Sequence, residues 1–191
     1  MVEEMEEGDF LRVQRGSGAS NGAAEVERKG WEIPQTDFVK INVDAGEKEG
    51  VGVSVCVVCR DDRGRVLWDL SMVQDLSGES HVAEESAVYE GISEASKHGH
   101  TKIVVESGCL TVIEALKRKA KGRSMFSLIL DDILCLCNSF SSVLWSYTSL
   151  VNNTVAHSLA HILPRVVGRL VWSDVLPPIE NNVVNFDSRL I

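Results

Sequence analysis

The sequence predicts an α/β domain built on a mixed five-stranded sheet flanked by helices, with element order β-β-β-α-β-α-α-β-α. Three observations carry that expectation. The first three strand-like runs are joined by links too short for a crossover, so they run antiparallel. A long helical recurrence of apolar residues follows over residues 80–98. The short run Lys102-Ile103-Val104-Val105-Glu106 then lies between helical segments, as expected of a strand buried on both faces in a parallel pairing.

The elements follow in order. Phe38 to Asp44 alternates, so Phe38, Lys40, Asn42 and Asp44 share one face of a strand. Gly50 to Cys59 is a second, valine-rich strand. Asp61-Asp62-Arg63-Gly64-Arg65 reads as a hairpin turn with glycine where positive φ is wanted, and Val66 to Val73 returns. Ser80 to His98 is a helix through Val82, Glu85, Val88, Tyr89, Ile92 and Ala95, stopped at Gly99. Leu110 to Lys119 and Met125 to Phe140 are two further helices, Ser142 to Leu150 the last strand, and Thr154 to Val167 the last helix. The tract Gly16-Ser17-Gly18-Ala19-Ser20-Asn21-Gly22 lacks apolar periodicity. Residues 1–30 are therefore expected to be a flexible acidic, glycine-rich tail, 31–168 the domain, and 169–191 a C-terminal tail.

At 191 residues, 44% hydrophobic and 25% charged, the chain is expected to form one globular domain with a real core. No apolar run reaches the ~18–20 residues of a membrane span. Met1 to Glu7 lacks the basic and apolar regions of a signal peptide, so an intracellular compartment is expected, nucleus or cytoplasm not distinguished. The five cysteines are odd in number and show no disulfide framework. Cys56 and Cys59 form a lone C-x-x-C inside a strand, which sends the thiols to opposite faces and favours packing over zinc. Cys135 and Cys137 do not share a helical face and read the same way. The net charge of −9 opposes nonspecific attraction to nucleic acid. Against it stands one basic run, Lys117-Arg118-Lys119-Ala120-Lys121-Gly122-Arg123.

Four positions look built to hold acids around one site. Asp44 closes the first strand and Glu84 opens the first helix. Gly108 follows the fourth strand, in Val105-Glu106-Ser107-Gly108, and His157 lies in the last helix. This arrangement resembles the ribonuclease H fold. Its local wording is similar to a plant branch of ribonuclease H-like domains derived from non-LTR retroelement reverse transcriptases. The likeness rests on Trp31-Glu32-Ile33-Pro34, Lys40-Ile41-Asn42-Val43-Asp44, Arg60-Asp61-Asp62-Arg63-Gly64, Ala83-Glu84 with Ala87 and Gly91, Val105-Glu106-Ser107, and Asn153 with Val155-Ala156 and Leu159-Ala160. Trp172-Ser173-Asp174 with Pro177-Pro178 echoes the tail, so the likeness spans roughly residues 31 to 179.

The resemblance implies hydrolysis of the RNA strand of RNA–DNA hybrids by two magnesium (or manganese) ions ~3.5–4 Å apart, held by four carboxylates. Asp44 matches the bridging ligand and Glu84 the second. Gly108 stands where the third acid is lost, and His157 where the fourth is replaced, as in many plant relatives. Two carboxylates supply half the negative charge of four, leaving two close divalent ions poorly compensated. Weak or absent magnesium-dependent cleavage is expected.

Glu106 is displaced ~6.6 Å along its strand from Gly108. Glu85 points ~100° around the helix from Glu84. Neither is an expected substitute. His157 and His161 share a helical face but lack the glutamate of a metalloprotease motif. Ser107 and Cys109 have no histidine and acid at nucleophile spacing. Asn42 is read as satisfying local hydrogen bonds, and Trp68, Trp145 and Trp172 as packing the sheet. Lys117, Arg118, Lys119, Lys121 and Arg123 stand where the resemblance implies that some family members carry a basic handle contacting hybrid phosphates, with a solvated loop face as the equal alternative. Nucleic acid is thus the expected partner, bound weakly, with no membrane partner. An active hybrid ribonuclease, and an interaction or relic module without nucleic acid, stay open as alternatives.

Overall fold

Alternation in the first strand divides the molecule into two layers. In the computed structural model, which describes residues 31–48, 52–74, 80–149, 152–162 and 168–173, β1 (Val39–Lys48) turns Ile41 and Val43 into the main core. Its opposite face carries Lys40, Asn42 and Asp44, all buried. β1 pairs antiparallel with β2 (Gly52–Arg60) and parallel with β4 (Lys102–Ser107). β2 pairs antiparallel with β3 (Val66–Gln74), and β4 parallel with β5 (Ser142–Tyr147).

The faces of β2 explain why it reads as a continuous apolar run. Val53, Val55, Val57 and Cys59 join the core under α1 (Ser80–Lys97), while Cys56 and Val58 pack beneath α4 (Thr154–Ile162). The two thiols of the C-x-x-C do lie on opposite faces, both buried and neither in a disulfide. The β2–β3 hairpin turns at Gly64, φ 76°, and Asp61 Oδ1 accepts the Arg63 and Arg65 N–H groups at 2.9 Å.

α1 lies close on the sheet because Gly91 has no side chain. A Cβ there would stand 3.1 Å from Ile41 Cγ2 and Val43 Cγ1 and 3.3 Å from Val57 Cγ1. Gly91→Leu is expected to lower stability by about 1–3 kcal/mol through overpacking, despite leucine's better helix propensity. The urea midpoint of the variant measures this.

α2 (Leu110–Arg118) buries Val112, Ile113 and Leu116, and ends at Lys119 in the left-handed region, φ 50°. The Lys119 N–H closes back on Ala115 O and Leu116 O. α3 (Met125–Leu136) starts at Ser124, whose hydroxyl accepts the Ser127 N–H at 3.2 Å. The helix expected to run to Phe140 instead ends at Leu136 and tightens into a 3-10 turn, Cys137–Ser139. Ser139 Oγ donates to Leu136 O, a side-chain bond to the last turn of the kind that ends helices. α4 is described to Ile162, and the rest of the helix expected to Val167 lies outside the described residues, as do residues 1–30.

The five expected strands are joined by a sixth, giving the order β5-β4-β1-β2-β3-β6. β6 (Gly168–Ser173), placed in the expected C-terminal tail but for Gly168, pairs antiparallel with β3 from Trp68↔Ser173 to Val73↔Gly168. Its exposed Gly168, Arg169 and Leu170 blur the period-2 signal. Its anchors are tertiary: the β3 ladder, Val171 against the core, and Arg169 ion-paired with Glu90 and Glu94 of α1. No described helix is long and apolar enough to cross a membrane.

Candidate active site

Parallel pairing of β1 and β4 brings the first and third stations together. Val43 pairs with Ser107, the last residue of β4, so Asp44 and Gly108 come next in their respective chain segments. Asn153 then fixes the start of α4 to the same place. Its Nδ2 donates to Val43 O at 2.9 Å, its Oδ1 accepts from Asn42 Nδ2 at 3.2 Å, and its carbonyl accepts the His157 N–H. One turn further on, His157 Nδ1 lies 2.8 Å from Asp44 Oδ2. Asp44 is buried and His157 half-buried, so the imidazole sits against a carboxylate that is nearly out of water.

Glu84 enters from α1. Burial pushes its carboxyl up to about 7, and the neighbouring Asp44 charge pushes the same way. Hydrogen bonds from Ser107 Oγ, at 3.4 Å, and from the Ala45 N–H pull it partly back. Ser107 also accepts the Cys109 N–H at 3.0 Å, so its hydroxyl links Glu84 to the turn into α2. Gly108 is exposed, and a Cβ there would meet only Thr148 O, at 3.9 Å. The third station has room for a side chain and has none.

Nearby acids are committed elsewhere. Glu106 Oε1 is 2.8 Å from Lys40 Nζ and its Oε2 accepts from Asn42 Nδ2 at 3.0 Å. Asn42 Oδ1 accepts from Trp31 Nε1 at 2.8 Å, and the Trp31 ring lies under Lys40 Nζ and 4.4 Å from the Arg60 guanidinium carbon. Asn42 therefore satisfies local hydrogen bonds, as expected, and links Trp31, Glu106 and Asn153. Glu85 is 0% exposed with no hydrogen-bond partner for either oxygen, and burial pushes its carboxyl up to about 8. Among the described residues, no three histidine, cysteine, aspartate or glutamate side chains are grouped to hold a metal ion. The donors left at the stations are two carboxylates and one imidazole, fewer hard oxygens than the four carboxylates that the family resemblance implies for two magnesium ions. The side chain of His161 lies outside the described residues.

Two features of this region escaped the sequence. The Lys40–Glu106 pair was signalled only by Lys40 sharing a strand face with Asn42 and Asp44. Glu85 carried no signal of being unpartnered, since its helical position alone marks it as inward. Trp68 is buried in the core, Trp145 packs against it, and Trp172 lies on the edge strand. Lys117, Arg118, Lys119, Lys121 and Arg123 are exposed at the end of α2 and in the loop before α3. Arg118 pairs with Glu114 at 2.8 Å and Lys121 with Asp131. Among the described residues, Lys117, Lys119 and Arg123 have no ion-pair partner.

Comparison with known proteins bears on the family and the fold. The family model described as reverse transcriptase-like matches residues 42–162. Among solved structures, the N-terminal RNase H domain of Rv2228c from Mycobacterium tuberculosis is similar, with a TM-score of 0.59 and 23% identity over 65% of this chain and 91% of that one. RNase H1 from the halophilic archaeon Halobacterium salinarum has a TM-score of 0.59 and 16% identity, covering 65% and 95%. LC11-RNase H1, solved in complex with an RNA/DNA hybrid, has a TM-score of 0.57 and 16% identity, covering 63% and 92%. No curated protein matches the chain in sequence. With the family model covering more than half of its length, and RNase H structures similar to it at a TM-score of 0.59, the chain belongs to the reverse transcriptase-like family and has the ribonuclease H-like fold.

Proposed function

We propose that this protein is a nucleic-acid-binding domain that engages RNA–DNA hybrids and whose metal-dependent hydrolysis is impaired. The single observation that carries the reading is the state of the four stations. Asp44 is hydrogen-bonded to His157, Glu84 is pushed toward its neutral form, and Gly108 supplies no donor. Magnesium binds hard, charged oxygens, and a carboxylate engaged by imidazole is a weakened ligand. The neighbouring acids do not replace what is missing, because Glu106 is held by Lys40 and Asn42 and Glu85 faces the interior. We assign binding to Lys117, Arg118, Lys119, Lys121 and Arg123, whose exposure and sign suit phosphate contacts. LC11-RNase H1 and a foamy viral protease-reverse transcriptase were both solved with RNA/DNA hybrid, which supports this choice of ligand. The plant and retroelement ancestry suggested by the sequence motifs is part of the same proposal.

The test uses a labelled RNA–DNA hybrid with the full chain, in magnesium and separately in manganese. The natural protein is expected to bind without cutting. Gly108→Asp with His157→Asp is expected to create magnesium-dependent cleavage, since position 108 has room and Asp44 is released. Adding Asp44→Asn should abolish that gain. Binding should weaken with salt, with a log–log slope of roughly −0.9 per phosphate contact, and Lys117→Ala should reduce the slope by about one. Cleavage by the natural protein that disappears on Asp44→Asn would overturn the impaired reading.

A further inference from the structure

The basic segment carries a hydroxyl that its role in binding does not use. Ser124 is exposed at the end of Lys119–Ser124, a stretch in which all residues after Lys119 lie outside regular secondary structure until α3 begins. Its backbone is extended, φ −75° and ψ 164°. Lys121 stands three residues before it, Arg123 one before and Lys119 five before, and the apolar Met125 follows. Gly122 makes this course possible, because a Cβ there would collide with the Ser127 side chain. The Ser124 hydroxyl lies 3.0 Å from Ser127 Oγ and accepts the Ser127 N–H, bonds of the helix start that a kinase must displace. An exposed serine in an extended, basic-flanked stretch is what a protein kinase with an acidic substrate groove recognises.

We infer that Ser124 is a phosphoryl-acceptor site for a basophilic serine/threonine kinase, and that its modification weakens nucleic-acid binding through the adjoining lysines and arginines. The inference about binding rests on the proposed function; the acceptor assignment does not. In the transfer, Ser124 Oγ attacks the γ-phosphorus of ATP, the bond to the β-bridging oxygen breaks, and ADP leaves. The hydroxyl proton passes to the carboxylate base of the kinase. The product gains about −1.5 to −2 charge at the end of the basic run, directly after Arg123. The new oxygens stand one residue from Arg123 and three from Lys121, which is paired with Asp131, and compete with nucleic-acid phosphates for these cations. The same group sits at the first turn of α3, where Ser124 already accepts the Ser127 N–H and negative charge is favoured by the helix dipole. Modification is therefore compatible with the fold.

The experiment treats the full chain with the catalytic subunit of a basophilic kinase and γ-labelled ATP, maps the phosphate, and titrates both forms with labelled hybrid. Label is expected on Ser124, to be lost in Ser124→Ala, and to fall in Lys121→Ala with Arg123→Ala. The phosphorylated form should bind hybrid on the order of tenfold more weakly at low salt, with a salt slope smaller by about two. Failure to label Ser124, or labelling undiminished in Ser124→Ala, overturns the acceptor site. Equal affinity of the two forms overturns the effect on binding. Absence of hybrid binding by the unmodified protein overturns the nucleic-acid reading and that effect together, while phosphate mapped to Ser124 still establishes the acceptor site.

Discussion

Glu85→Leu is expected to stabilise the protein by about 3 kcal/mol at pH 7 and to remove part of its pH dependence. The glutamate is 0% exposed, and neither oxygen has a hydrogen-bond partner. Burial alone pushes its carboxyl from an ordinary 4.5 up to about 8. The folded state therefore keeps a proton that the unfolded chain releases above about 4.5. The unfolded state is favoured increasingly as pH rises from about 4.5 to about 8, by about 1.4 kcal/mol per pH unit, and the penalty is constant above that. Below pH 4.5 both states hold the proton and nothing is lost.

Leucine matches the volume closely enough to keep the packing. Urea unfolding between pH 4 and 9 should show the natural protein losing stability across this window. The variant should keep the smaller decline due to Glu84, which ends near pH 7. That decline is offset in part by His100, held below its ordinary value by burial and by His98, which gains stability as pH rises. Asp61 and Glu94, whose carboxyls are held below their ordinary values by Arg65 and Arg169, act in the opposite sense and at lower pH. A variant no more stable than the natural chain at pH 7 would mean that Glu85 is solvated or paired in solution.

Lys40→Met is expected to cost about 3–5 kcal/mol, because it leaves the Glu106 carboxylate buried without its cation. Lys40 and Glu106 side chains are only 7% and 10% exposed, and Lys40 Nζ also donates to Glu32 O at 2.6 Å. The double change Lys40→Met with Glu106→Leu should recover most of the loss, since a well-packed apolar pair replaces a desolvated ionic one. A double-mutant cycle on denaturation midpoints reads the coupling directly. Additive losses would show that the two side chains do not depend on each other. Asn42→Leu in the same network should also destabilise, by leaving Trp31 Nε1 and Asn153 Oδ1 without the partner each has now.

These cases show where reading along the chain succeeds. Period-2 alternation placed Ile41 and Val43 on one face and Lys40, Asn42 and Asp44 on the other, because a strand's geometry reports direction residue by residue. Short links fixed the antiparallel order of β1, β2 and β3. The same logic failed for β6, where six residues of mixed exposure are a strand only because β3 offers a free edge. The end of α3 at Leu136 was hidden for a similar reason, since Ile133, Leu136 and Phe140 keep helical spacing beyond the point where the backbone tightens into the 3-10 turn.

At the candidate site the division is sharper. Sequence by itself determined that position 108 has no side chain and that position 157 is an imidazole, because residue identity needs no geometry. It also set the order of elements that gathers the four stations. Only the tertiary structure decided that His157 engages Asp44, 113 residues away, and that Lys40 claims Glu106, 66 residues away. It likewise decided that Glu85 is buried without any hydrogen-bond partner. Periodicity states which way a side chain points and says nothing of what meets it. Partners so far apart in the chain are brought together by sheet pairing and by the Asn153 anchor, and those contacts decide the chemistry left to Asp44 and Glu84.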